Sequence, residues 1–479
     1  MMKKFWILSA ALLAAVTLQA KVELPSFFSD NMVLQQKENV AVWGKATGKK
    51  VTITTTWSKQ KTVVTPGADG KWFARIPTPE AGGPYEVTFN DGEKCTLRNV
   101  LIGEVWYCSG QSNMSMPMQG WESQPVEHAI DYILGAKPSV PIRICDVPQN
   151  KSAAPVDTVQ SPWKIHCPES VAPASATAYF FAYKLHEILQ VPIGILTVDW
   201  GGSAIEAWMS RELLEKEFPG EFDLSFLDTG DVRERKVSNS PCILYNGMAS
   251  MLIPFTFKGM IWYQGETNRG KPAQYIRLQA AYVKMMRDLF QNPDAPFYFV
   301  QIAPYPYGHP ERFSSGYFYE AQQKCLEVIP HSGMAPTVDL GDYHFIHPPR
   351  KMEVGNRLAY LALVNDYGFK GINPVAPTYK SVEFKDGQAL VTIETDKRFL
   401  IPAKRPVGGF EIAGEDHVFH PATAIAVSKE NVVTVTSDAV PNPVAVRYCF
   451  RAWGEGTLWN ADGIPLLPFR TDNWDDLKQ

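Results

Sequence analysis

The chain has 479 residues, 45% of them hydrophobic and 12% aromatic. That is too apolar for a disordered chain and longer than one core organises, since single cores stop growing near roughly 250–300 residues. A net charge of −4 without any basic run argues against nucleic acid as a partner, because such binding rests on a positive surface. Seven scattered cysteines, with no C-x-x-C pair and no close Cys/His cluster, exclude a disulfide scaffold and argue against a zinc site.

Residues 1–20 read as an export signal. Lys3 and Lys4 give a charged start, Phe5 to Val16 an apolar stretch, and Leu18-Gln19-Ala20 a small-residue cleavage site. The apolar run is too short for a permanent span, and no Cys at the cleavage point offers a lipid anchor. The expectation is an exported protein, periplasmic or secreted, with no membrane anchor. Removing the two lysines makes the remainder more acidic still.

Residues 21–100 read as strands. VAVWGKA, KVTITTTW, KTVVTPG, KWFARIP and YEVTFND alternate in polarity or are β-branched, with turn residues between them. They predict a small β-sandwich, with the Asp69-Gly70 turn joining two strands as a hairpin.

From 101 to 372 the rhythm becomes strand, loop, helix. Apolar runs at 101–109, 192–200, 257–265, 296–304 and 334–342 alternate with helical patterns at 174–190, 273–290, 317–329 and 351–364. The runs are continuous rather than alternating, so they predict a parallel sheet covered on both faces, an α/β domain. The charged, irregular stretch 210–240 reads as a surface insertion. Residues 373–479 return to strand patterns, a second β-rich region.

Ligands of an open parallel sheet bind beyond the carboxyl ends of its strands. Reactive residues follow the strands of this chain in order. Gly110-Gln111-Ser112-Asn113-Met114 places a Ser beside a glycine after the first strand, where its hydroxyl and backbone N–H are available for acyl chemistry. Met114 stands where the G-x-S-x-G elbow has its second glycine, so this is not that motif. Alone, Gly-x-Ser is more often a turn. Trp200-Gly201-Gly202-Ser203 follows the second strand, and its glycines let backbone N–H groups approach a ligand, or simply make a tight turn. Gln264-Gly265-Glu266-Thr267-Asn268 follows the third strand. There Gln264 or Asn268 is a candidate side-chain donor, with Asn268 as a plain helix cap the alternative. The last strand leads into Asp339-Leu340-Gly341-Asp342-Tyr343-His344-Phe345-Ile346-His347-Pro348, where a His suits a general base.

Together, GEVWYCSGQSNM, VDWGGSAIEAW, IWYQGETN and the terminal IHP resemble the sialate O-acetylesterase family of carbohydrate-active SGNH hydrolases, over roughly residues 21–370. The resemblance implies a flavodoxin-like three-layer α/β domain flanked by β-sandwich regions. It implies Ser112 as nucleophile and His347 as base. The oxyanion donors it implies are the backbone N–H groups of Ser112 and of Gly201 or Gly202, with a side-chain amide from Asn268, favoured over Gln264. Many SGNH enzymes carry an Asp two or three residues before the His, where this chain has Phe345 and His344. The orienting group is therefore open between Asp342, Asp339 and a Ser–His dyad whose imidazole N–H meets a backbone carbonyl; His344 is a minor rival for the base.

The implied activity is a serine esterase that removes O-acetyl groups from sialic acid, using no cofactor and no metal. The alternative substrate is acetylxylan or another acetylated polysaccharide. Arg269 and Arg350 lie near the third and fifth blocks and could bind the sialate carboxylate, although solvated surface roles suit them as well. A sugar-binding module on an inactive hydrolase fold, and a lipase or thioesterase, are the competing classes.

Overall fold

The computed structural model describes residues 22–475, apart from 311, 397–398 and 428–429. The expected export signal at 1–20 lies outside the described residues.

A parallel sheet forms the middle layer. Its strands are β1 (Lys94–Gly110), β2 (Ile142–Asp146), β3 (Ile193–Asp199), β4 (Gly259–Tyr263), β5 (Phe297–Val300) and β6 (Ser332–Ala335), in the order β2-β3-β1-β4-β5-β6. The pairings among these six are parallel, and Trp163–Ile165 adds an antiparallel edge beyond β2. The runs read from the sequence at 101–109, 192–200, 257–265 and 296–304 fall on the second half of β1 and on β3, β4 and β5. β6 sits at 332–335, at the front of the predicted 334–342 run, the rest of which is loop.

Both faces of the sheet are buried, which is why its strands are apolar without alternation. Trp106, Cys108, Ile195, Ile261 and Tyr298 pack on one side with α2 (Ala176–Leu189) and α5 (Lys351–Asn365). Val105, Tyr107, Leu196, Trp262 and Phe299 pack on the other with α3 (Pro272–Leu289) and α4 (Ser314–Val328). The observed fold is α/β with three layers. α2 and α5 meet closely at Gly355, where an added Cβ would lie 2.7 Å from both the Phe180 Cβ and the Phe181 backbone nitrogen. Gly355→Ala is therefore expected to lower stability by about 1–3 kcal/mol, the overpacking outweighing alanine's better helix propensity. Thermal unfolding of the variant measures it.

β1 is long because it serves two sheets. Its first half pairs antiparallel with Gly82–Asn90, and its second half pairs with β3 and β4. Residue 100 lies in the middle of it. The lead-in has a second layer made of Asn39–Lys45 and Lys71–Pro77. Ser58–Val64 pairs instead with Val51–Thr55. The Asp69-Gly70 turn consequently is not a hairpin: the chain crosses there from one sheet to the other.

After α5 the chain builds two small antiparallel sheets around a core of their own, which includes Val391, Val433, Ile412 and Tyr448. They dock on the α/β layer through Asp339. Its carboxylate accepts two bonds from Arg357 (2.8 and 2.7 Å) and one from Trp459 Nε1 at 2.9 Å. The 210–240 stretch is more integrated than its charge suggests: Phe226, Leu227 and Val232 are buried in the main core. Cys108, Cys145, Cys242, Cys325 and Cys449 are buried thiols.

Candidate active site

The site lies where β1 sits between β3 and β4 and the chain leaves the sheet in opposite directions on either side. β1 ends at Gly110. A Cβ there would lie 2.2 Å from the Tyr263 carbonyl oxygen, so only glycine lets β1 and β4 close together at this point. Gln111 then turns the chain. Its N–H donates to Tyr263 O (2.9 Å) and its Oε1 accepts from the N–H groups of Gly265 (3.3 Å) and Thr267 (3.4 Å). Half-buried Ser112 opens α1 (Ser112–Ser115). Side chains at the start of α2 hold this short helix: Ser175 Oγ donates to Met114 O (2.6 Å) and Thr177 Oγ1 to Asn113 O (3.1 Å).

The glycine pair after β3 faces Ser112. The Trp200 N–H donates to Gly110 O at 3.2 Å, and a Cβ on Gly201 would stand 3.4 Å from the Ser112 Cβ. Gly202 has φ +70° with open space beside it, and its carbonyl accepts from Thr267 Oγ1 at 3.1 Å. The first three sequence blocks thus converge on one sheet edge.

Gln264 and Asn268 are not equivalent in this arrangement. Both amide hydrogens of Gln264 are engaged, on Ser203 O (3.1 Å) and on Asn268 Oδ1 (2.7 Å). Gln264 is buried and, contrary to its candidacy as an oxyanion donor, has no N–H left to give. Asn268 Oδ1 also accepts from Ile205 N (3.0 Å), while Asn268 Nδ2 donates to Glu206 Oε2 (2.9 Å). Among the described residues its second amide hydrogen is unclaimed. Gln264 and Glu206 therefore fix which way the Asn268 amide points.

The loop after β6 brings His347 to the same edge. The Asn113 amide donates to the Ile346 carbonyl at 3.2 Å, tying the residue after Ser112 to the residue before His347. His347 Nδ1 lies 2.6 Å from Gln124 Oε1, and the Trp121 ring packs nearly perpendicular to the imidazole with ring centres 4.8 Å apart. An amide oxygen only accepts, so Nδ1 carries the proton and Nε2 keeps its lone pair. Burial, and then the Lys351 ammonium, push the His347 pKa down to about 4.

Asp342 does not reach His347. Its Oδ1 accepts from the N–H groups of His344 (2.7 Å) and Phe345 (3.1 Å), a turn cap of the kind short Asp side chains make with backbone just ahead of them. Asp339 is held by Arg357 and Trp459, and His344 is exposed. The imidazole partner is thus neither of these carboxylates nor a backbone carbonyl but a side-chain amide, Gln124, which the sequence reading missed. Gln124 sits in a tight turn whose backbone pairs with Trp121 in both directions at 3.0 Å. Nothing in MPMQGWESQP marks it beforehand.

Of the two arginines, Arg350 is turned toward Asp339 O (3.0 Å) and Glu353 (3.5 Å). Arg269 follows the third block, its guanidinium carbon 3.4 Å from the centre of the Tyr307 ring.

The family model described as carbohydrate esterase, sialic acid-specific acetylesterase matches residues 102–363, more than half of the chain. The chain belongs to this carbohydrate esterase family. Sialate O-acetylesterases of rat and human are each 28% identical to it over 89% of the chain, covering 89% and 87% of their own lengths. A solved carbohydrate acetylesterase from Xanthomonas citri is 33% identical over 95% of this chain and all of its own, with a TM-score of 0.82. The carbohydrate esterase match begins within β1 and ends within α5, so it contains every strand-end loop described above.

Proposed function

We propose that this carbohydrate esterase is an exported SGNH-type serine esterase that removes O-acetyl groups from sialic acid through an acyl-serine. The observation that carries the reading is His347, with its Nδ1 tied to an amide oxygen, on a loop that Asn113 holds against the Ser112 turn. The strand order around β1 and the names of the rat and human relatives support it.

His347 Nε2 takes the proton from Ser112 Oγ as that oxygen attacks the acetyl carbonyl. The oxyanion of the tetrahedral intermediate receives the N–H groups of Ser112 and of the Gly201–Gly202 turn and the remaining amide hydrogen of Asn268, each donor worth about 3 kcal/mol. The sugar oxygen leaves with the proton from the imidazolium. Water, deprotonated by His347, then attacks the acyl-serine and releases acetate.

In this reading Arg269, which follows the third block and stacks on Tyr307, is the candidate partner of a sialate carboxylate. Arg269→Met is expected to raise KM for O-acetylated sialic acid about tenfold while leaving KM for acetylated xylan unchanged. Acetate release from mono- and di-O-acetylated sialic acids alongside acetylated xylan tests the substrate. Turnover of xylan alone would replace sialate by the polysaccharide reading.

A further inference from the structure

Behind the Ser112 turn a buried lysine and a part-buried glutamate hold one amide between them, a set that acyl transfer does not call on. Lys351, the first residue of α5, is completely buried, and its Nζ donates to Asn113 Oδ1. At the other end of the same amide, Asn113 Nδ2 donates to Glu266 Oε1 at 2.7 Å. Glu266 Oε2 is buried without a hydrogen-bond partner among the described residues. A carboxylate at the NH2 end and an ammonium at the carbonyl end polarise the amide in the same direction, which strengthens the bonds it makes in a low-dielectric interior. One of those bonds is the 3.2 Å contact to Ile346 O, next to His347. Taking an ammonium and a carboxylate out of water is costly, and well-packed apolar groups would serve stability as well or better. The pair is therefore poorly explained as a stabilising device.

We propose that Asn113, Glu266 and Lys351 are positioning residues for Ser112 and His347: the amide, gripped at both ends, fixes the His347 loop against the Ser112 turn, and Lys351 supplies the cation that the imidazole faces. The inference rests on the reading of His347 as the base and says how its surroundings tune it.

The charges that face each other here are few. His347 meets Lys351 from α5 and the neutral Trp121 and Gln124 from the 116–128 loop. Lys351 meets Glu266 and, 5.5 Å away, the Tyr263 ring. Glu266 meets Lys351 and Arg269. Burial lowers the Lys351 pKa to about 7 while Glu266 pulls it upward. In the interval between about 4 and about 7, the ammonium is consequently charged while the imidazole is neutral.

The test is the acid limb of kcat/KM for an aryl acetate, measured on the full chain. In the unmodified protein its midpoint is expected near 4. Lys351→Met, which removes the charge at similar length, should move it up by about one pH unit and lower kcat about tenfold with KM little changed. Glu266→Gln, which removes the carboxylate but leaves the ammonium, should lower kcat and leave the limb in place or move it down. A misfolded or loosened site does not produce this difference in direction.

An unmoved limb in a folded Lys351→Met variant overturns the inference, and so does an upward shift in Glu266→Gln. Should the Lys351 variant not fold, the unmodified protein still decides: a midpoint near the ordinary imidazole value of about 6.5 overturns it. Full activity in His347→Gln would instead overturn the reading of the base itself.

Discussion

Replacing Ser112 with Ala is expected to lower kcat on 4-nitrophenyl acetate about ten-thousand-fold or more, with thermal unfolding unchanged to within about 0.5 kcal/mol. The loss follows from the position of the residue: α1 starts at Ser112, and the Gly201 backbone lies against its Cβ. Stability is spared because the short helix is held by other groups. Ser175 and Thr177 bond to the carbonyls of Met114 and Asn113, and both of those residues are buried. Measuring kcat and the unfolding midpoint on the same preparation separates the two effects. Activity retained within tenfold would remove Ser112 from the chemistry and with it the acyl-serine.

The second large effect concerns His347. His347→Gln should cost roughly a thousandfold or more in kcat, because among the described residues of the site no second base stands beside the Ser112 turn. Gln124→Ala should cost less, about ten- to a hundredfold, since the imidazole then loses its orienting bond but keeps its packing against Trp121. Gln124→Glu is the informative partner. A neutral amide oxygen selects the tautomer, yet it gives little charge stabilisation to an imidazolium. A carboxylate at the same place would do both. The His347 pKa, about 4 in the parent, should therefore rise in Gln124→Glu, and the acid limb of kcat/KM should move up with it. The sign is fixed: the base works when neutral, so activity falls as pH drops through its pKa. An acid limb unchanged in Gln124→Glu would show that the contact to Nδ1 is not made in solution.

Much of this was legible in the chain itself, for a physical reason. A strand buried on both faces has no polar side to advertise, so β1, β3, β4 and β5 read as continuous apolar runs, and helices between them read by their period. Residues at strand ends are legible because the sheet puts them in one place whatever the loops do. That is why Ser112, Gly201, Asn268 and His347 could be named together. The short strands Ile142–Asp146 and Trp163–Ile165 were not seen, since five and three residues among prolines carry too little pattern.

The polar partners were harder. Asp342 had a plausible distance along the chain, yet a short carboxylate finds the N–H groups two and three residues ahead before anything farther away. Gln264 and Asn268 are both amides on one turn, and only their mutual hydrogen bond decides which keeps a free donor. Gln124 reaches His347 across a separation of 223 residues, and no local pattern encodes such a meeting.

β1 also bears on how this protein can be taken apart. Its 17 residues run from the lead-in sheet to the Ser112 turn, with an irregularity at Asn99, where φ is +55°. Cutting the chain at residue 100 would divide the central strand and leave Val33–Gln35, which pairs with residues 101–103, without its neighbour. The lead-in is therefore not a detachable module that evolution or an engineer can exchange for another. It shares its last strand with the α/β layer, and that same strand leads directly to Ser112.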